Sequence, residues 1–315
     1  MNILVANNQL ERTGGTENYT YAIIEEFLRC GHSVEYFTFR KGEISDKIEA
    51  LNVRFRSKRS YDLIIANHTT TVEKLHLYGC IIQTCHGITP ILEQPSSLAD
   101  FYVSVSYEVQ QYLKSKGYNS IVINNGVNCD RFIPETKINK ELKSVLSLCQ
   151  SEEANNFVRE CCLDIGAEFK KLNKHIDNLW HIEKNINESD LVVGIGRSLY
   201  DAMACGRAVL SYDNRNYSRD FGDGYLNSNN IIESLKYNCS GRGLKKTFTK
   251  ELFIEELKKY NEKDGVFFRN FALEHLNIRQ SVASYLSIAS IPAIKKKRVE
   301  KALFLAKAFI NRKFN

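Results

Sequence analysis

Residues 191–210 have the sequence LVVGIGRSLYDAMACGRAVL, which predicts a strand, a glycine turn, a short helix, a glycine stop and a second strand. In a parallel βαβ unit, the turn lies at the carboxyl end of the first strand, where open α/β sheets bind ligands. Gly194 and Gly196 allow a sharp turn and a close approach to a ligand. A helix that begins near Ser198 would direct unpaired N–H groups at the same point. The stretch therefore predicts an anion-binding site.

Two charged residues strengthen this prediction. The guanidinium of Arg197 is a planar fork of donors suited to phosphate oxygens, and we expect it to be exposed on the glycine turn. Asp201 follows one helical turn later and can accept hydrogen bonds from hydroxyls such as those of a ribose.

The composition is that of a cytoplasmic globular protein. Of the 315 residues, 43% are hydrophobic and 25% are charged, which excludes a disordered chain. No apolar run approaches the roughly 18 to 20 residues that span a bilayer. The nine cysteines have no spacing typical of zinc sites or disulfide frameworks, so we expect reduced thiols.

The net charge of +6 is concentrated at the C-terminus. Eight basic residues and one acidic residue lie between Lys295 and Asn315, so the rest of the chain is close to neutral. Apolar residues at helical spacing accompany them, and we expect residues 291–315 to form a basic amphipathic helix on an anionic membrane surface. The alternative is a helix that packs on the first domain with its basic face in water. Nucleic-acid enzymes usually carry their basic residues across a folded face, so no nucleic-acid partner is expected.

Strands alternate with helices along the whole chain. The pattern predicts strands at 2–6, 33–39, 61–66, 80–84 and 101–105, and helices at 16–30 and 107–116. A second domain begins near 144–149, and helices over 251–285 close it and return to the first domain. This alternation indicates an α/β fold with doubly wound parallel sheets.

Three motifs resemble the GT-B fold nucleotide-sugar glycosyltransferases, in particular a bacterial branch of the retaining group called family 4. The first motif runs from Gly194 to Arg207 and matches G-x-G-R-S-x-x-[DE]-A-M-A-C-G-R. Residues 125–134 resemble the interdomain signature N-G-V-D-x-x-R-F-x-P, and residues 238–242 resemble N-x-S-G-R. Val193 stands where the family has the first of two glutamates, and the usual G-R-L and lysine are absent after residue 148.

The resemblance implies two Rossmann-like domains that face each other across a cleft. Residues 1–135 would form the acceptor-side domain, residues 136–290 the nucleotide-sugar domain, and residues 291–315 the basic helix. The implied reaction moves a sugar from a UDP or GDP donor to a hydroxyl of a glycan or lipid-linked acceptor, with retention, in bacterial surface-glycan or glycolipid synthesis. No cofactor is implied.

The resemblance also assigns the site residues. Gly14, Gly15 and Thr16 resemble a G-G-x-E loop near the donor diphosphate, and His86 matches a histidine near the donor sugar and the acceptor. His86 and Arg197 are the expected catalytic residues. The expected nucleotide-sugar contacts of the second domain are Gly196, Arg197, Ser198 and Asp201, and the further phosphate or acceptor candidates are His68 and Arg242. No Asp-x-Asp motif is present, so no metal site is expected.

Three other functions remain open. A GT-B sugar-nucleotide epimerase would share the nucleotide site but needs acid and base carboxylates that we do not identify. A non-catalytic partner subunit that binds a nucleotide or glycan is compatible with Val193. An NAD-dependent dehydrogenase is disfavoured, because no turn completes G-x-G-x-x-G.

Overall fold

The computed structural model describes residues 1–173, 176–177, 179–215 and 221–291, together with Val299 and Leu303. The chain divides into two compact units: unit 1 comprises Met1–Gly126 and the segment that begins at Ile278, and unit 2 comprises Val127–Asn277. These units differ from the expected domains, 1–135 and 136–290. The reason lies in contacts around Gly126, where an added Cβ would lie 2.6 Å from the Ile278 Cα atom. The Ser281 hydroxyl also donates to the Asn124 carbonyl.

Unit 1 contains one parallel sheet of seven strands in the order β3-β2-β1-β4-β5-β6-β7. The strands are β1 (Asn2–Ala6), β2 (Ser33–Phe37), β3 (Arg54–Phe55), β4 (Tyr61–Ala66), β5 (Gly79–Cys85), β6 (Phe101–Ser104) and β7 (Ser120–Val122). The direction in which successive strands are added reverses between β1 and β4. Ligands of doubly wound sheets bind at such a switch point, at the carboxyl ends of the strands.

The helices, numbered along the chain, cover both faces of this sheet. Those of unit 1 are α1 (Gly15–Arg29), α2 (Glu43–Ala50), α3 (Thr69–Leu75), α4 (Tyr107–Ser115) and α11 (Ile278–Ala289). Helix α1 buries Ala22, Ile23 and Phe27, as their helical spacing predicts. The predicted return of the chain is confirmed, because the Tyr285 hydroxyl in α11 bonds to those of Tyr19 and Thr84, at 3.2 and 2.7 Å.

Unit 2 contains a six-stranded sheet in the order β13-β12-β11-β10-β8-β9. The strands are β8 (Ser144–Ser147), β9 (Glu168–Lys171), β10 (Leu191–Gly194), β11 (Ala208–Tyr212), β12 (Phe221–Tyr225) and β13 (Lys246–Thr247). Strands β8 to β11 are parallel, as predicted. Strand β12 runs antiparallel to β11, and β13 runs antiparallel to β12, which the sequence analysis missed. Eight residues separate β11 from β12, fewer than the dozen or so that a parallel crossover requires.

The strand order of unit 2 reverses between β8 and β10, so this sheet also has a switch point. Its helices are α5 (Glu152–Asp164), α6 (Ile182–Asn187), α7 (Arg197–Ala204), α8 (Ile231–Lys236), α9 (Lys250–Leu257) and α10 (Lys263–Phe271), which continues as a π-helical turn at Ala272–Leu276. Leu199 and Met203 of α7 pack into a core on one face of the sheet. Val193 packs into the core on the other face.

No helix within the described residues has an apolar segment long enough to cross a bilayer. The predicted basic helix at 291–315 lies outside the described residues, except for Ile291, Val299 and Leu303.

Candidate functional site

The glycine turn of unit 2 lies at the switch point. Gly196 has φ +62° and ψ −131°, a conformation that is essentially restricted to glycine, and α7 begins at the next residue. Gly196 has no side chain to cap the helix, and the first N–H groups of an α-helix have no intrahelical acceptor. Gly194 lies against the loop after β8, because an added Cβ would be 3.5 Å from the Leu148 Cβ atom. The predicted turn and helix start are confirmed.

The N-x-S-G-R segment lies beside this turn. The Gly196 N–H donates to the Cys239 carbonyl at 3.0 Å, and the Tyr200 hydroxyl donates to Asn238 Oδ1 at 2.9 Å. Asn238 and Cys239 both have positive φ, +58° and +46°, which is uncommon for residues with side chains. Arg242 belongs to the same loop and is partly exposed. Two motifs that are 40 residues apart in the chain thus form one surface.

Arg197 and Asp201 form a buried ion pair on α7, with 3.6 Å between Nε and Oδ1. The Arg197 side chain is only 10% exposed, so the expectation of an exposed arginine is wrong. Ser198 is partly exposed.

The Asp201 carboxyl group is less acidic than usual. Burial raises its pKa to about 6, although the charges of Arg197 and Arg131 act in the opposite direction. Its Oδ1 atom has no hydrogen-bond partner among the described residues. A buried acceptor without a partner carries a free-energy cost that a ligand hydroxyl would remove.

Three residues near Asp201 were missed by the sequence analysis. Arg131 forms an ion pair with Glu183, 3.1 Å between Nη2 and Oε2, and its guanidinium lies 4.5 Å from the ring centre of Trp180. Arg131 and Glu183 both act electrostatically on Asp201. Among these three residues, only Arg131 had a sequence signal, because it belongs to the interdomain signature of residues 125–134.

A second polar cluster lies at the switch point of unit 1. Asn7, Asn67 and His86 follow β1, β4 and β5, which are neighbours in the sheet. The Thr20 hydroxyl accepts hydrogen bonds from the side-chain amides of Asn7 and Asn67, both at 2.9 Å, and donates to the Thr16 carbonyl. Only His86 of these three strand-end residues was predicted.

The cluster determines the orientation of the His86 ring. Because the Asn67 amide nitrogen donates to Thr20, its Oδ1 atom must accept from His86 Nε2, 3.1 Å away. This bond places the proton on Nε2 of the neutral imidazole, and Nδ1 carries the lone pair. The Tyr19 ring packs edge-on against the imidazole, with the centroids 5.3 Å apart.

The predicted phosphate loop of unit 1 contains a carboxylate. Gly14 is extended and precedes α1, and an added Cβ there would lie 2.2 Å from Glu17 Oε2. The Thr16 hydroxyl donates to the same oxygen at 3.0 Å. Since this carboxylate already balances the positive end of the helix dipole, an anion at Gly14 or Gly15 would meet a negative charge.

His68 is placed differently from His86. It is buried, and its Nδ1 accepts a hydrogen bond from the Asn8 N–H at 3.2 Å. Burial lowers its pKa to about 4, which keeps the ring neutral. These contacts support the local structure, and a phosphate or acceptor contact of His68 stays a prediction.

The described residues contain no group of three or more His, Cys, Asp or Glu side chains arranged to hold a metal ion. All nine cysteines are free in the structure. Burial raises the pKa of Cys162 to about 12, so this thiol is protonated at neutral pH.

No protein-family model and no curated protein matches the chain. Solved structures match most of it. A glycosyltransferase from Rickettsia africae ESF-5 is 13% identical, with 91% of this chain and 97% of that chain covered and a TM-score of 0.64. The catalytic domain of Arabidopsis thaliana starch synthase IV, bound to ADP and acarbose, is 12% identical, with coverages of 92% and 98% and a TM-score of 0.56. An alpha-glucosyltransferase in complex with UDP and a 13-mer DNA is 10% identical, with coverages of 92% and 99% and a TM-score of 0.54.

One further match has a different activity. A Listeria monocytogenes protein assigned as a UDP-N-acetylglucosamine 2-epimerase is 11% identical, with coverages of 90% and 94% and a TM-score of 0.53. At these identities the matches show the fold alone. The chain therefore has the α/β GT-B fold, with two Rossmann-like units, as the sequence motifs predicted.

Proposed function

We propose that the chain is a family 4-like glycosyltransferase that moves a sugar from a nucleoside-diphosphate donor, of the UDP or GDP type, to an acceptor hydroxyl with retention of configuration. The observation that carries this proposal is the switch point of unit 2, where a glycine-only turn, the start of α7 and the Arg197–Asp201 pair coincide. Solved relatives of the same fold hold UDP or ADP, which supports a nucleotide donor.

The start of α7 and Arg197 would bind the diphosphate. As the bond between the sugar and the diphosphate breaks, negative charge grows on the leaving phosphate oxygens. The Arg197 guanidinium and the N–H groups at the start of α7 would stabilise that charge, and Ser198 would add its hydroxyl. This is transition-state stabilisation by groups already in place, and it needs no metal ion in the proposed mechanism.

Asp201 would bind the ribose. Its Oδ1 atom, which has no hydrogen-bond partner among the described residues, can accept a hydrogen bond from a ribose hydroxyl, and the ion-paired Arg197 would then be shared between the carboxylate and the phosphates. Val193 cannot take the place of the missing glutamate, because it is fully buried in the core with Val145 and Leu210. Donor-sugar contacts must therefore come from other residues.

We assign the sugar or acceptor contact to His86. Its ring is oriented by Asn67 and Tyr19, as a residue that positions a hydroxyl requires. Arg242 remains a candidate for phosphate or acceptor binding, because its loop adjoins the glycine turn through Cys239. Gly14, Gly15 and Thr16 remain candidates for donor binding, although Glu17 opposes a phosphate there.

For the acceptor, we propose a glycan or lipid-linked hydroxyl used in bacterial surface-glycan or glycolipid synthesis. The basic C-terminal segment would bring the cytoplasmic enzyme to an anionic membrane surface. We propose no nucleic-acid partner, since the basic residues are concentrated in that segment, although one structural neighbour is a complex with DNA.

Two alternatives share the same nucleotide site. An epimerase is favoured by the fold match to the Listeria monocytogenes protein, and a non-catalytic partner subunit is favoured by Val193 at the glutamate position.

The test of the proposed function is incubation of the protein with a panel of UDP, GDP and ADP sugars, followed by mass spectrometry and chromatography. Release of the nucleoside diphosphate from one donor supports a transferase. An isomerised sugar on an intact nucleotide indicates an epimerase, and binding without turnover indicates a partner subunit.

A further inference from the structure

Trp180 is the single tryptophan of the chain and lies in the segment that joins β9 to α6. This segment leaves β9 at its carboxyl end, so it lies at the same edge of the sheet as the glycine turn after β10. The side chain is partly exposed. A large aromatic ring at the ligand-binding edge can contact a planar ligand group.

Contacts with Arg131 hold Trp180 in place. The guanidinium lies over the indole, 4.5 Å from the ring centre, and Nη2 donates to the Trp180 carbonyl oxygen. The same nitrogen donates to Glu183, which neutralises the guanidinium charge and restricts its orientation. An aromatic ring fixed in this way loses little conformational entropy when a ligand stacks on it.

Arg131 and Glu183 connect Trp180 with the Arg197–Asp201 pair. Arg197, at the start of α7, is the phosphate candidate, and Asp201 on the next helical turn is the ribose candidate. Arg131 and Glu183 both interact electrostatically with Asp201. Arg131 also contacts the Trp180 ring, and Glu183 contacts His181, the residue after Trp180. Trp180 is therefore linked, through Arg131, to the ribose candidate Asp201.

We propose that the indole of Trp180 stacks on the base of the nucleoside-diphosphate donor and that Arg131 is the positioning residue that holds the indole. This inference rests on the proposed function, since it assigns the base end of the same site. Stacking accepts any base, because every base has a π-face, so Trp180 would contribute affinity while other groups select the base.

The first test compares binding of UDP, GDP and inorganic pyrophosphate by calorimetry to the unmodified chain, Trp180→Ala and Trp180→Phe. We expect Trp180→Ala to weaken the better nucleotide about tenfold, within the range for loss of one stacked base. Trp180→Phe, which keeps an aromatic face, should stay within about threefold of the unmodified chain, and pyrophosphate binding should be unchanged in both variants. A purely structural role for Trp180 predicts instead an equal loss for pyrophosphate.

The second test uses the unmodified chain, whose tryptophan emission comes from Trp180 alone. The nucleotide that binds should change this emission in a saturable way, and pyrophosphate should not. Nucleotide binding with unchanged emission and unchanged affinity in Trp180→Ala overturns the stacking proposal and leaves the proposed function standing. If neither UDP nor GDP binds the unmodified chain, both proposals are overturned.

Discussion

Replacement of Asp201 by asparagine tests the electrostatics of the unit 2 site. Burial raises the pKa of this carboxyl group from an ordinary 3.8 to about 6. A group whose pKa is higher in the folded state stabilises the fold most below its unfolded pKa, and this contribution is lost as the pH rises through the folded pKa. Each unit of difference between the folded and unfolded pKa corresponds to about 1.4 kcal/mol. The ionised carboxylate therefore destabilises the folded state by about 3 kcal/mol at neutral pH.

The asparagine side chain has the same shape and does not titrate, so Asp201→Asn should abolish this pH dependence. When the pH falls from about 7.5 to about 5, the wild type should therefore gain about 1.5 kcal/mol of unfolding free energy relative to Asp201→Asn. Urea unfolding at several pH values, followed by circular dichroism, measures this difference directly.

Asp190→Asn is the matched control. Burial alone would raise the pKa of Asp190, but hydrogen bonds from Asn139, Lys143 and Ser144 outweigh it and lower the pKa. Here the wild type should lose stability relative to the variant as the pH falls through that lowered pKa. Parallel curves of unfolding free energy against pH for the wild type and Asp201→Asn would refute the raised pKa of Asp201. A pH-dependent difference of the same sign for both variants would also refute it.

Three further predictions concern the turn, the metal and the tail. Gly196→Ala should lower the unfolding free energy by about 1 to 3 kcal/mol, because its φ of +62° strains a residue with a Cβ, whereas Gly15→Ala, which meets nothing within 4 Å, should be close to neutral in the same urea assay. Donor turnover should persist in EDTA, because Arg197 and helix N–H groups take the place of a cation; complete loss restored by Mn²⁺ would contradict this. Deletion of the residues after Pro292 should abolish sedimentation with anionic vesicles and preserve donor turnover, and equal sedimentation of both proteins would argue against a membrane-binding tail.

Local signals made the βαβ unit around residues 191–210 predictable. Apolar runs, glycines and a short helix occur within 20 residues, so no knowledge of distant contacts was needed. The parallel sheets followed from the same alternation of strands and helices. The antiparallel pairing of β12 with β11 and β13 was missed. The direction of β12 depends on the length of the connection from β11 rather than on the composition of the strand.

The remainder of the candidate site depends on long-range contacts. Arg131 and Glu183 are 52 residues apart in the chain, so the cluster that they form with Trp180 and Asp201 exists only when unit 2 folds. The burial of Arg197 was likewise not predictable from the local pattern of residues 191–210. In unit 1, the bonds of Asn7 and Asn67 to Thr20 join three separate segments and carry no sequence signature.

The proposed function requires that the start of α7 bind a nucleoside diphosphate through Arg197. Calorimetric titration of UDP and GDP into the wild type, Arg197→Ala and Arg159→Ala measures this binding, since Arg159 is an exposed arginine on α5 and serves as the control. We expect one nucleotide to bind the wild type and Arg159→Ala equally, and to bind Arg197→Ala roughly 10- to 100-fold more weakly, the loss expected for a charged hydrogen-bond donor. Equal binding to Arg197→Ala, or no binding of either nucleotide to the wild type, would rule out nucleoside-diphosphate binding through Arg197.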